Sequence, residues 1–412
     1  MSDSNALPTN KDLLTELIKK LPKTDIHLHF DGSIRLDTLI ELSKQSQLTL
    51  PSYTVEGMEE LVFKDKYPNL EAYLKTFQYS CAILHKPENI ERVAYELAED
   101  NWNEGVRYIE VRFAPHLTVN NEQDVRSIIK SMSDGMARAA KNFNLDSSKA
   151  KDGGPPFRFS IIACAMRFFG NWSHYYNAVH TAFPHSQPKR MIQAASDSLA
   201  DSIIELSQND GLPIVAMDIA GSESGYPAIW HKTAFDKIRR NNLHATVHAG
   251  EAYGPESVYQ AVHELQAERI GHGFKLYEQD EIKGPNIKDK SAFVEVLKNY
   301  IATRQLTFEV CLTSNHQTTP TIREIKDHNL KHMLNDGMSL TLCTDNRTVS
   351  KTSVTNEILI ACQSFDLTSD QLEKIIMEGF RKSFFPGTST EKATYVKQCS
   401  DYYQQILNKT LT

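Results

Sequence analysis

Eight short apolar runs recur along the chain, and segments with apolar residues at three- and four-residue steps separate several of them. The runs are KTDIHLHF (23–30), VRYIEVRF (106–113), FRFSIIACAM (157–166), IVAMDIAG (214–221), HATVHAGE (244–251), RIGHG (269–273), LTFEVCLTSN (306–315) and SLTLCTDN (339–346). They are short and β-rich, which predicts strands, whereas NIERVAYELAEDNWNEG and PESVYQAVHELQAE carry helical periodicity. Strands alternating with helices imply a parallel sheet. Eight such units imply a closed (β/α)8 TIM barrel of the α/β class, with additional helices around it. The ionisable residues gather at the C-terminal ends of the runs: His27 and His29, Asp218, His248 and Glu251, His272, then Asp345 and Asn346. In such a barrel these ends open onto one face, where active sites are built. A doubly wound open sheet fits less well, because no glycine-rich phosphate loop follows the first run.

Three stretches fall outside the alternation. Residues 1–20 read as a lead-in helix ahead of a single domain over 21–412. Residues 144–158, NLDSSKAKDGGPPFR, read as a polar Gly/Pro-bearing loop. Residues 170–190 read as an aromatic- and histidine-rich insertion whose His174, His180 and His185 lack ligand spacing, so a surface excursion is expected.

Composition narrows the function classes. The 412 residues carry a net charge of −7, with 40% hydrophobic and 24% charged residues, an ordinary balance for a folded protein. No Lys/Arg run suggests a nucleic-acid footprint. No apolar stretch approaches the ~18–20 residues a membrane helix needs, and the N-terminus lacks the apolar core of a signal peptide. The six cysteines show no CxxC pairing, and Cys164, Cys311 and Cys343 sit inside apolar runs. Reduced thiols in a cytoplasmic protein are the expectation.

The chemistry begins with His27, His29 and Asp31, at every second position of HLHFD. Residues two apart in a strand share a face, so the two imidazoles project together from Cα atoms about 7 Å apart. His248 and Glu251 follow in VHAGE, His272 is bracketed by glycines in IGHG, and Asp345 with Asn346 ends the last run. Singly, each has a plain structural reading: a buried histidine, a glutamate at a helix start, an Asp-Asn turn. Together, three histidines and one aspartate from three strand ends fit a metal centre, with a free Glu and a free His nearby. Imidazole and carboxylate suit zinc.

The ordered set HLHFDGS, YIEVRFAP, VHAGE, IGHG and TDN, with MDIAGSE and CLTSN between, resembles the adenosine deaminase family of the amidohydrolase superfamily. The similarity runs from about Leu21 to Ser383, and the TDN form resembles the family's bacterial branches. The resemblance implies one Zn2+ per chain, held by His27, His29, His248 and Asp345. Glu251 would protonate purine N1 as hydroxide attacks C6, His272 would orient that hydroxide, and Asp345 would also accept the proton of the attacking water. Substrate contacts would come from His29, from Asp31 to the ribose 5′-hydroxyl, from the Gly221 backbone N–H to purine N3, and from Asn346 to N7. Leu70, Tyr73, Leu74 and Phe77, spaced i, i+3, i+4, i+7, would form an apolar lid helix over the C-terminal face. Many family members carry a second aspartate where this chain has Asn346. An amide donates to N7 without first being protonated.

The implied reaction is hydrolytic deamination of adenosine, and of 2′-deoxyadenosine, to inosine and ammonia in purine metabolism. The nearest alternative is adenine deaminase, or a deaminase of another amino-purine with the same metal site. Adenine deaminases tend to read HxHxEG, and the shorter Asp31 leaves room for a ribose. A catalytically dead homologue would have lost a ligand or Glu251, and none is missing. The expected partner is a small purine nucleoside, with no nucleic acid and no membrane.

Overall fold

The computed structural model describes residues 7–145 and 153–411. Among these, eight parallel strands follow chain order in one sheet: β1 (Lys23–His29), β2 (Val106–Phe113), β3 (Arg158–Met166), β4 (Ile214–Ala220), β5 (His244–Ala249), β6 (Arg269–His272), β7 (Thr307–Val310) and β8 (Ser339–Leu342). The sheet closes where the backbone beyond β8 meets β1. Leu28 bridges Asp345, the His29 N–H donates to the Asp345 carbonyl at 2.7 Å, and the Asp345 N–H donates to the His27 carbonyl at 2.9 Å. The result is the (β/α)8 barrel the alternation implies. The seventh and eighth runs overshoot their strands most. The strands stop at Val310 and Leu342, and TSN belongs to the helix Leu312–Thr318.

Helices cover the barrel because their apolar stripes match its outer face. In Pro87–Asn103, proline occupies the first turn, where its missing N–H costs nothing. Ile90, Val93, Ala94, Leu97, Ala98 and Trp102 then form one buried face. Truncating such a residue, as in Leu97→Ala, costs about 2–5 kcal/mol. The barrel interior is less usual. Branched aliphatic side chains normally fill it. Here Glu110, Arg112, Asp218, Arg269 and Glu309 occupy inward positions, at most 1% exposed.

The flanking stretches differ in detail from their sequence reading. Among the described residues the lead-in helix covers Lys11–Lys20, and residues 1–6 of its sequence reading lie outside them. Asn10 caps the N–H groups of Asp12 and Leu13, and Leu14, Leu17 and Ile18 are buried. Lys23 closes its other end, donating to the carbonyls of Ile18 at 2.7 Å and Leu21 at 3.0 Å. Of the 144–158 loop, residues 146–152 lie outside the described residues. Its two ends are tied together by paired hydrogen bonds between Asn144 and Phe157, at 3.0 and 2.8 Å. The 170–190 insertion contains a helix, His174–Ala182, anchored by buried Tyr176 stacked on Phe169 at 4.1 Å. His174 and His185 are exposed and His180 half-buried.

Candidate metal centre and active site

Strand pleat and barrel closure bring the sequence motifs to one point. His27 and His29 project from β1 on the same face, with ring centroids 5.4 Å apart. His248, on β5, sets its Nε2 3.1 Å from His29 Nε2. Asp345 Oδ1 lies 3.5 Å from His27 Nε2 and 3.3 Å from His29 Nε2. One ligand-type atom from each of these four buried residues falls within 4.8 Å of the others.

Two observations fit this set to a divalent cation. His27 Nε2 is buried at the centre with no hydrogen-bond partner. Buried polar atoms normally have partners, so an orphan nitrogen among three other donors marks a ligand position. Two of the three rings are also aimed from behind, as metal-bound histidines are. His27 Nδ1 lies 2.7 Å from Glu309 Oε2, and His248 Nδ1 lies 2.8 Å from Asp218 Oδ2. Arg112 joins the two carboxylates, at 2.7 Å from Asp218 and 2.9 Å from Glu309. The Ser314 hydroxyl donates to Asp345 Oδ2 at 2.6 Å, leaving Oδ1 facing the histidines.

Backbone conformation serves the same placement. His272 and Asp345 have φ of 64° and 59°, in the left-handed region that costs a non-glycine residue about 1–2 kcal/mol. Both stand just where a strand ends, and barrel hydrogen bonding holds them there. Gly271 is required by space instead. A Cβ there would lie 2.9 Å from His27 Cε1 and 3.2 Å from the His248 Cα.

Glu251 and His272 share Asp345 with the histidine cluster in a second compact group. Glu251 Oε1 is 3.7 Å from His272 Nε2, and both residues are buried. Burial, reinforced by the Asp345 charge, raises the Glu251 carboxyl well above its usual range. Burial also works to raise Asp345, but the neighbouring imidazoles of His27, His29 and His272 outweigh it and hold the carboxylate low. Two neighbouring carboxyls thus favour opposite protonation states.

Glu251 does not cap a helix. It lies in the loop between Ala249 and the helix Pro255–Tyr259, and Glu223 organises that loop. The Glu223 carboxylate accepts the N–H groups of Gly250, Glu251, Ala252 and Tyr253 at 2.6–3.0 Å, and the Ser257 hydroxyl.

The remaining expected residues surround this centre. Asp31 is 7% exposed, with Oδ2 3.9 Å from Cys81 Sγ and Oδ1 without a partner. Burial pushes its carboxyl up to about 7. Asn346 donates to the Tyr73 hydroxyl at 2.8 Å, and that hydroxyl meets Ser350 Oγ at 2.7 Å. Gly221 follows β4 with φ 96°. Leu70 and Tyr73 are buried, Leu74 and Phe77 half-buried.

The apolar series does not form one helix, which corrects the single-helix reading of the lid. It divides into Leu70–Leu74 and Phe77–Ile83, because the Thr76 hydroxyl bonds the Tyr73 carbonyl at 2.8 Å and competes with the helical ladder. The first piece still reaches across the mouth. Tyr73 touches the loop after β8, and Glu71 accepts from Ser222, after β4, at 3.1 Å.

Fold and site define a (β/α)8 barrel protein with a buried, metal-capable centre at its C-terminal mouth. A sequence profile described as adenosine deaminase matches residues 22–174 and 187–397, and the chain belongs to that family. The unmatched residues between the two ranges fall within the 170–190 insertion. Adenosine deaminase of Yersinia pseudotuberculosis is 32% identical over 367 residues, 89% of this chain and 94% of that protein. A probable adenosine deaminase of Dictyostelium discoideum is 30% identical over 382 residues, 92% of this chain but 42% of that longer protein. Among solved structures, an amidohydrolase of Burkholderia ambifaria with bound zinc superposes with a TM-score of 0.77 at 18% identity, covering 98% of each chain.

Proposed function

We propose that this enzyme is a zinc-dependent hydrolase that converts adenosine, and 2′-deoxyadenosine, with water to inosine and ammonia. The observation that carries the reading is the joining of two groups through Asp345: three histidines that can hold an ion, and the Glu251–His272 pair. His27, His29, His248 and Asp345 would hold one zinc, which would lower the pKa of water and so supply hydroxide at neutral pH. The protein's own groups account for the remaining proton transfers. Attack at C6 of the purine needs a proton on N1, which Glu251, favoured in its protonated form, is placed to give. The low Asp345 carboxyl accepts the water's proton. The proton of the new C6 hydroxyl then passes to the departing amine by way of the ionised Glu251, and the proton held by Asp345 returns to Glu251, which balances the exchange of NH2 for OH. Carboxyls pushed to opposite protonation states divide acid from base in this way.

Asp31 supports a nucleoside over a free base. Its buried, unpartnered Oδ1 is an acceptor suited to one hydroxyl, the ribose 5′-OH. A 5′-phosphate would face a carboxyl there instead of a cation. Gly221 serves purine N3 and Asn346 serves N7, while Leu70, Tyr73, Leu74 and Phe77 cover the base and exclude water. The six cysteines are unpaired among the described residues, which supports a reducing, cytoplasmic setting. A spectrophotometric screen of adenosine, 2′-deoxyadenosine, adenine and AMP tests the proposal. Turnover of both nucleosides is expected, and a preference for adenine or AMP would overturn it.

A further inference from the structure

Behind His272 lies a chain of buried hydrogen bonds that begins at a backbone group of fixed polarity. The Leu330 N–H, which can only donate, points at His328 Nδ1 at 3.0 Å. Nδ1 of His328 therefore carries a lone pair, and the ring's proton sits on Nε2. That nitrogen lies 3.2 Å from Asn315 Oδ1, which accepts it. With Oδ1 engaged, Asn315 turns its amide nitrogen to His272 Nδ1 at 2.9 Å. An NH2 group donates, so His272 Nδ1 is also a lone pair. His328, Asn315 and His272 are at most 3% exposed, so water does not compete for these bonds.

We propose that this Leu330–His328–Asn315 relay fixes His272 as the tautomer bearing its proton on Nε2, the nitrogen that faces Glu251 and Asp345. His272 then enters the site as a hydrogen-bond donor. It stabilises an oxygen that is gaining charge, and it has no free lone pair with which to take a proton from water. Asn315 and His328 are positioning residues that act through His272. This rests on the deaminase reading for its catalytic consequence, but the tautomer itself does not depend on that reading.

The experiment uses the zinc-loaded protein with 15N-labelled histidine, and assigns His272 by the resonance lost in His272→Gln. The expected spectrum shows a proton on Nε2 and a bare Nδ1; a proton on Nδ1 in the unmodified protein would overturn the relay. Asn315→Asp keeps the shape but presents two acceptors, so the His272 proton should move to Nδ1. With the donor lost, kcat should fall by about 10²–10³, the effect of removing one oxyanion donor, with zinc content retained and KM within about threefold. His328→Phe, which frees the amide to rotate, should lower kcat about tenfold. His328→Gln should restore most of it, since a glutamine amide both accepts and donates. A tautomer unmoved in Asn315→Asp would refute the relay. A tautomer that moves while kcat does not would uphold the relay and remove His272 from the deaminase mechanism.

Discussion

Glu309 Oε2 lies 2.7 Å from His27 Nδ1, and neither side chain has any exposed surface. The same carboxylate takes Arg112 at 2.9 Å, Arg269 at 2.7 Å and the Thr246 hydroxyl at 3.0 Å. It therefore orients a metal-facing imidazole and neutralises the interior of the barrel at once. Glu309→Gln should weaken zinc binding about 10–100-fold, the usual cost of losing a carboxylate behind a ligating histidine. It should also destabilise the metal-free protein by about 3–5 kcal/mol, because two buried guanidinium groups lose a shared partner. Competition titration with a zinc chelator and urea unfolding measure the two effects separately. Unchanged zinc affinity would show that His27 needs no support from behind.

Glu251 has the clearest separation of binding from chemistry. Glu251→Gln keeps the side-chain shape but cannot deliver and recover a proton. Its kcat for adenosine should fall by about 10²–10⁴, the range of positioned acid–base catalysis. Zinc content by elemental analysis should stay at one per chain, since Glu251 lies outside the three-histidine, one-aspartate set. Near-normal turnover would take the acid role away from Glu251. Chelation should abolish activity in the unmodified enzyme, and added zinc should restore it.

The Tyr73 hydroxyl ties the helix Leu70–Leu74 to Asn346 at 2.8 Å and to Ser350 at 2.7 Å. A neutral hydrogen bond of this kind contributes about 0.5–1.5 kcal/mol. Tyr73→Phe should therefore raise KM for adenosine up to about tenfold while kcat changes little. If Asn346 donates to purine N7, 7-deazaadenosine should be a poorer substrate than adenosine, and that handicap should shrink in Tyr73→Phe as the amide loses its fixed orientation. Equal handling of the two nucleosides by the unmodified enzyme would remove Asn346 from N7 recognition.

Residue types and strand periodicity made much of this legible before any coordinates. The HxH spacing on one strand face, the polar strand ends and the ordered motifs led to the barrel and to the residues that meet at its mouth. The groups behind them were harder to assign. Glu309, Arg112 and Arg269 are charges inside apolar runs, a signal of buried pairing, but the partner of each lies on another strand and only barrel closure brings them together. Glu223 looks like part of a polar loop until four backbone N–H groups converge on it. Asn315 and His328 stand 13 residues apart and depend on how the helix Leu312–Thr318 packs behind β6. The lid series obeys helical spacing throughout, and one threonine hydroxyl still breaks it.

Stability should depend on pH through Glu357, a fully buried carboxyl that clamps the helix Leu312–Thr318. Its Oε1 accepts the hydroxyls of Thr313 and Thr352, the latter at 2.6 Å. Burial, outweighing those hydrogen bonds, pushes its pKa up to about 7 from 4.5. Between these values the folded protein keeps a proton that the unfolded chain has released. A raised carboxyl of this kind contributes stability that is full below about pH 4.5 and lost as pH rises through 7. The swing amounts to at most ~3.5 kcal/mol, at about 1.4 kcal/mol per pKa unit. Glu357→Gln can keep both hydroxyl bonds through its own carbonyl oxygen and does not titrate. Relative to the unmodified protein, the variant should gain unfolding free energy from about pH 5 to pH 7 and level off by pH 8 in urea titrations. A difference that stays flat over that range would mean that Glu357 is ionised in the folded state throughout.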